Sequence, residues 1–153
     1  MVSGKFVHLI EEHGDQIITS VLSELRAEGP ATRASRLLES ELRDSGRDLL
    51  RNLGEWLSPE GKAQLGKRYE RLGEAIWDQN VPLHETLRGL FLIRDKAEDY
   101  IEEHMLTKTQ IELYAEEQTD KALARMFAGL VVRVARGYER AARGQKTAHS
   151  LTG

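Results

Sequence analysis

The chain has 153 residues, a length typical of a single domain, so a second independent domain is not expected. Charged residues (31%) and hydrophobic residues (40%) favour amphipathic helices over disorder, and a net charge of −3 argues against whole-surface attraction to nucleic acid or an anionic membrane. The lack of cysteine excludes disulfides, thiolate nucleophiles and cysteine-ligated metals. Without a signal-peptide pattern or an apolar run of membrane length, we expect a cytoplasmic protein.

Three prolines and one capping pattern divide the chain into predicted helices. Proline fits the first turn of a helix but not its interior, and Pro30, Pro59 and Pro82 mark such starts. Thr107 and Gln110 have the spacing of a capping box. The predicted helices are residues 4–28, 32–57, 59–79, 82–105 and 108–143.

Each of the first two segments carries one apolar stripe. In residues 4–28 the stripe runs from Phe6 to Leu25 in steps of four and seven, and Gly14 is a site where the helix can kink. Residues 32–57 have a leucine stripe with charged residues on the other faces. This pattern is typical of a helix at the surface of a bundle.

The third and fourth segments differ in apolar content. Residues 59–79 are the least apolar, and glycines such as Gly66 and Gly73 lower their intrinsic helicity, so this helix must be stabilised by packing. Residues 82–105 have a wide apolar face. We therefore expect the fourth helix to be the most buried and to lie centrally.

The fifth segment, residues 108–143, is long enough to extend beyond a compact domain. Residues 144–153 lose the helical period and are expected to form a flexible tail after a single domain at 1–143. No segment alternates apolar and polar residues as a strand does. The predicted fold is all-α, a bundle of about five helices with a long C-terminal helix.

Motifs of known catalytic sites are missing from the sequence. No histidine has glutamate three residues before it, which excludes the usual di-iron pattern, and His-Glu-x-x-His is absent. A nucleophile elbow and a phosphate-binding glycine loop are absent as well. The sequence therefore predicts a non-enzymatic protein without a bound metal.

His84 is the strongest candidate ligand among the five histidines. It lies in the first turn of the predicted central helix, where the helix dipole disfavours protonation, and a neutral imidazole can bind haem iron. A helical chain of this size with a histidine in mid-chain is similar to a globin. The simpler interpretation, which we favour, is that His84 packs at or caps the helix start and that no cofactor binds.

Four arginines follow one another along the last predicted helix in steps of three and four. They are Arg133, Arg136, Arg140 and Arg143. A favourable interaction with the negative end of the helix dipole explains them, and binding of nucleic acid is the less favoured alternative.

Residues 72–88, LGEAIWDQNVPLHETLR, followed by Leu92-Ile93-Arg94, resemble the N-terminal domains of RsbR-type stressosome proteins of bacteria. The resemblance covers roughly residues 5–143 and includes the Pro-Leu-x-Glu helix start and the order of five helices. It implies a globin-like fold without haem and a role in the stress response. The implied function is that of a sensor or scaffold module that passes a signal through its last helix.

The resemblance also implies a homodimer and a signalling partner. Parallel packing of the last helix would place Phe127, Val131 and Val134 between two subunits. Members of the family usually continue into a STAS domain with phosphorylatable threonines, which the printed sequence lacks. The resemblance therefore does not imply that this chain antagonises a kinase.

Overall fold

The computed structural model describes residues 4–104 and 109–152, with side chains for 4–104 and 109–144. These ranges form seven helices and contain no strand, which confirms the all-α prediction with a long C-terminal helix. None of the described helices is both long and apolar enough to span a membrane. The helices are α1 (Gly4–Glu12), α2 (Gly14–Ala27), α3 (Arg33–Arg51), α4 (Leu53–Trp56), α5 (Pro59–Asp78), α6 (Leu83–His104) and α7 (Gln110–Thr152).

The first two predicted helices are each divided in two. The first is broken at His13, directly before the predicted kink at Gly14. A Cβ on Gly14 would lie 3.1 Å from the Cβ of Leu50, so glycine allows α2 to begin close against α3. The second is broken at Asn52, whose backbone leaves the helical region before α4 begins.

Side-chain caps fix where the longer helices begin. Thr32 and Ser35 form a reciprocal capping box at the start of α3, and the hydroxyl of Ser58 accepts a hydrogen bond at the start of α5. The predicted cap Thr107 lies outside the described residues. In its place the hydroxyl of Thr109 accepts a hydrogen bond of 3.1 Å from the backbone amide of Glu112 at the start of α7.

Helix α6 is the centre of the bundle, as predicted. It contacts α1, α2, α3, α5 and α7, and its buried side chains include Leu90, Ile93 and Ile101. These lie in one apolar core with residues from every other helix. The burial of these apolar side chains of α6 stabilises the bundle by removing apolar surface from water.

Helices α5 and α7 pack backbone against backbone. A Cβ on Gly73 would lie 2.1 Å from the carbonyl oxygen of Val134, and one on Gly137 would lie 1.9 Å from that of Glu70. Neither position has room for a side chain, because real Cβ atoms do not approach a carbonyl oxygen so closely. The glycines that weaken α5 as an isolated helix are thus what lets it pack on α7.

The end of α7 extends beyond the predicted limit of residue 143. Its backbone remains helical to Thr152, and the side chains of residues 145–153 lie outside the described part. The flexibility of the tail at 144–153 and the single-domain boundary at 143 stay predictions. The loss of apolar period there does not prevent a helix, because the segment still contains good helix formers.

Candidate functional site

The predicted interface residues on α7 lie mostly inside the bundle. Phe127 and Val134 are 0% exposed and belong to the core of the single chain, while Val131 is half-buried. A fully covered side chain has no surface left for a second subunit. Phe127 and Val134 therefore hold α7 on its own bundle, and an interface on α7 must use other side chains.

Exposed apolar side chains remain on the outer sides of α6 and α7. Phe91 is 43% exposed and Val132 is 49% exposed, and Ala128 lies one helical turn before Val132 and is also exposed. We call Phe91, Ala128 and Val132 the α6–α7 face. Three further large apolar side chains are exposed at the start of α7: Ile111, Leu113 and Tyr114.

The two helices of the α6–α7 face run in opposite directions. They are joined by a short connection, and Asp120 of α7 is close enough to raise the pKa of Glu98 on α6, a shift due first to burial. Phe91 precedes Glu98 by seven residues, and Ala128 follows Asp120 by eight residues. Phe91 and Ala128 are therefore at nearly the same level along the bundle.

Two arginines of the predicted basic surface bond to α5. Arg133 donates to Glu70 at 3.2 Å, and Arg140 donates to Glu74 at 2.6 and 3.0 Å. Residue numbers rise together in these two pairs, so α5 and α7 are parallel. The other two arginines, Arg136 and Arg143, are exposed. At least two of the four predicted cations thus join helices, which weakens the nucleic-acid interpretation of the surface.

A cavity of about 620 Å³ lies where α2, α3 and α6 meet. Its size is within the range of small-molecule sites. We call it the α2–α3–α6 cavity. It is lined by Leu25, Arg26, Glu28, Gly29, Pro30, Ala31, Thr32, Ser35, Leu38, Glu39, His84, Glu85 and Arg88.

Two bidentate ion pairs border the α2–α3–α6 cavity. Arg26 of α2 donates to both carboxylate oxygens of Glu39 on α3, at 3.0 and 3.2 Å. Arg88 of α6 donates through its Nε to Glu28 at 3.0 and 3.1 Å, and its Nη2 also bonds that carboxylate. The hydrogen bonds from Arg88 lower the pKa of Glu28. The pairs tie the end of α2 to both neighbouring helices.

His84 lies in the wall of the α2–α3–α6 cavity, in the first turn of α6. Its side chain is exposed and makes no hydrogen bond or ion pair with another described residue. Sequence reasoning found His84 but missed the two ion pairs that surround it, because both join residues far apart in the chain. A surface cavity bordered by four paired charges differs from the apolar slot that holds haem in a globin.

A cluster of aromatic rings lies between the break that separates α1 from α2 and the end of α6. The ring of Tyr100 lies 3.9 Å from that of His104 and 4.9 Å from that of His13. Each histidine Nδ1 lies 2.9 Å from the backbone carbonyl four residues earlier, which accepts its hydrogen bond. Within residues 4–104 and 109–144, no three histidine, aspartate or glutamate side chains are grouped to hold a metal.

The sequence profile of the RsbT co-antagonist protein rsbRD N-terminal domain matches residues 15–150. The match covers most of the chain, so the chain belongs to this family, as the resemblance of residues 72–94 indicated. Comparison with curated proteins and with solved structures gave no significant match. The family indicates a role in stressosome signalling.

Proposed function

From its membership of the rsbRD N-terminal domain family, we propose that this chain is a non-enzymatic signalling domain that forms a homodimer in the bacterial cytoplasm. The dimer forms through the α6–α7 face, and α7 carries the signal to a partner protein. The observation that supports this most is the pair of large apolar side chains, Phe91 and Val132, left half-exposed on the central helix and on the longest one.

The geometry of α7 favours such an interface. Its inner side is occupied by the core and by the close contact with α5, so only the outer side is open to a second copy. Ala128 and Gly129 precede Val132 there, and small residues allow another helix to approach closely. Exposed apolar side chains at a similar level on two neighbouring helices are compatible with a protein interface.

The test is the mass in solution of the purified chain and of two variants with one lysine each. We expect the wild-type chain to have twice the subunit mass of 17.3 kDa in light scattering at micromolar concentration. Val132→Lys places a charge in the proposed interface and should give a single subunit. Ile111→Lys, at an 81% exposed position outside the α6–α7 face, is the matched control and should remain dimeric.

A monomeric wild-type chain would contradict the dimer, and a dimeric Val132→Lys variant would contradict the α6–α7 face as its location. Circular dichroism must show that all three proteins are equally helical. If Val132→Lys loses helicity, unfolding rather than a broken interface would explain its single-subunit mass. Phe91→Ser, on the other helix, therefore provides a second test of the same face. The expected result is again a single subunit.

The alternative function is a sensor that binds haem or another small ligand through His84. It is supported by the position of His84 in the wall of the α2–α3–α6 cavity. Addition of haem to the purified chain should then produce a Soret band that is lost in His84→Ala. The absence of a band, or the same band in the variant, would remove the haem alternative.

A further inference from the structure

The α2–α3–α6 cavity combines an apolar wall with a small number of polar groups. Leu25, Pro30 and Leu38 supply apolar surface, and Leu38 is part of the core. The hydroxyls of Thr32 and Ser35 are already bonded within the capping box of α3. Cavities of this composition bind ligands that are mostly apolar and carry one or a few polar groups.

The charges that line the cavity do not balance. Two arginines face three glutamates, which leaves a net charge of −1 when His84 is neutral. Both arginines are in bidentate pairs, with Glu39 and Glu28, and the third carboxylate, Glu85, makes no hydrogen bond or ion pair with another described residue. Glu85 is half-buried.

We propose that the α2–α3–α6 cavity binds a small organic amine, whose apolar body lies against Leu25, Pro30 and Leu38 and whose ammonium group pairs with Glu85. An ammonium group supplies the one positive charge that the cavity lacks. The ring of His84, in the same turn of α6, offers a nitrogen that can accept a hydrogen bond from it. The ligand would then contact α2, α3 and the central helix at once.

An anionic ligand fits the cavity poorly. An anion beside either arginine would also lie beside the carboxylate that is paired with it, Glu39 or Glu28, and would meet the charge of Glu85 as well. The arrangement of charges therefore selects a cation over an anion of the same shape.

Calorimetric titration with three probes of one shape tests the proposal: hexylamine, hexan-1-ol and hexanoate. We expect hexylamine, which is charged near pH 7, to bind about tenfold more tightly than the alcohol, the effect of one hydrogen-bonded charge pair, and hexanoate to bind least. Glu85→Gln should remove the advantage of the amine over the alcohol. Glu60→Gln, at an exposed carboxylate in the first turn of α5, is the matched control and should keep it.

Three results would overturn the proposal: no binding of any probe, equal binding of hexylamine and hexanoate, or an unchanged preference for the amine in Glu85→Gln. Circular dichroism of both variants confirms that they are folded. The titration is repeated with Val132→Lys, because no residue lining the cavity is on α7. If monomeric Val132→Lys still binds hexylamine, the amine site does not depend on the dimer. Either proposal can then be rejected without the other.

Discussion

The contact between α5 and α7 and the corner where α2, α3 and α6 meet are built in opposite ways. In the first, Gly73 and Gly137 bring two backbones together and leave no space for a methyl group. In the second, the helices stand apart around a cavity of about 620 Å³ and are joined by exposed ion pairs. Direct backbone packing resists change, whereas solvated ion pairs rearrange at little cost.

This difference separates two tasks within one small bundle. The α5–α7 contact holds the longest helix in a fixed place on the domain. The α2–α3–α6 corner has room for the proposed amine, and its His84 and Glu85 make no hydrogen bond or ion pair within the described part of the chain. Central helix α6 contacts both regions.

The largest effect is expected for Gly137→Ala at the α5–α7 contact. The new Cβ would lie 1.9 Å from the backbone carbonyl oxygen of Glu70, so the helices must separate. We expect the free energy of unfolding to fall by about 3 kcal/mol. Urea denaturation at fixed protein concentration measures it. The control is Gly144→Ala in the same helix, away from the α6–α7 face, where nothing lies within 4 Å, and there we expect a gain of up to about 1 kcal/mol.

A smaller effect is expected for the same substitution in α6. A Cβ on Gly89 would lie 2.7 Å from a methyl group of Leu42, which is the end of a flexible side chain. Leu42 can shift and alanine favours the helix, so the free energy of unfolding should change by less than about 1 kcal/mol. Equal urea midpoints for Gly89→Ala and Gly137→Ala would show that the contact between α3 and α6 is no more adaptable than the contact between α5 and α7.

The smallest effect is expected for Glu28→Gln, which breaks one ion pair at the cavity. Arg88 holds the pKa of Glu28 below its ordinary value of 4.5 in the folded chain. The pair therefore stabilises the fold above pH 4.5, and this contribution is lost as the pH falls through the lowered folded value. The difference in urea midpoint between variant and wild type should be small near neutral pH and vanish in acid. A difference that persists in acid would assign another role to Glu28.

Local signals in the sequence predicted where most of the helices lie. Pro59 begins α5, Pro82 directly precedes α6 and Pro30 lies three residues before α3, and the apolar stripe of residues 82–105 correctly identified the central helix. The breaks at His13 and Asn52 were harder to predict, because they depend on how each half packs against other helices. Gly14 signalled the first break, whereas the second, at Asn52 and two residues before Gly54, was not predicted.

Contacts between distant segments limited what could be predicted about the site. Phe127 and Val134 were assigned to an interface because an apolar stripe does not state whether its own chain or another covers it. Arg133 and Arg140 likewise gave no sign in the sequence that α5 would supply their carboxylates. His84 was found, since its position in the first turn of a helix is a local property.

The close contact at Gly137 gives α7 the mechanical character of a lever with a fixed pivot. About 15 residues of helix separate that point from Thr152, a distance of about 22 Å at 1.5 Å per residue. A tilt of about 10° at the pivot would carry the far end sideways by about 4 Å. For the signalling role proposed above, this geometry would turn a small rotation inside the bundle into a displacement of several ångströms at the far end of α7.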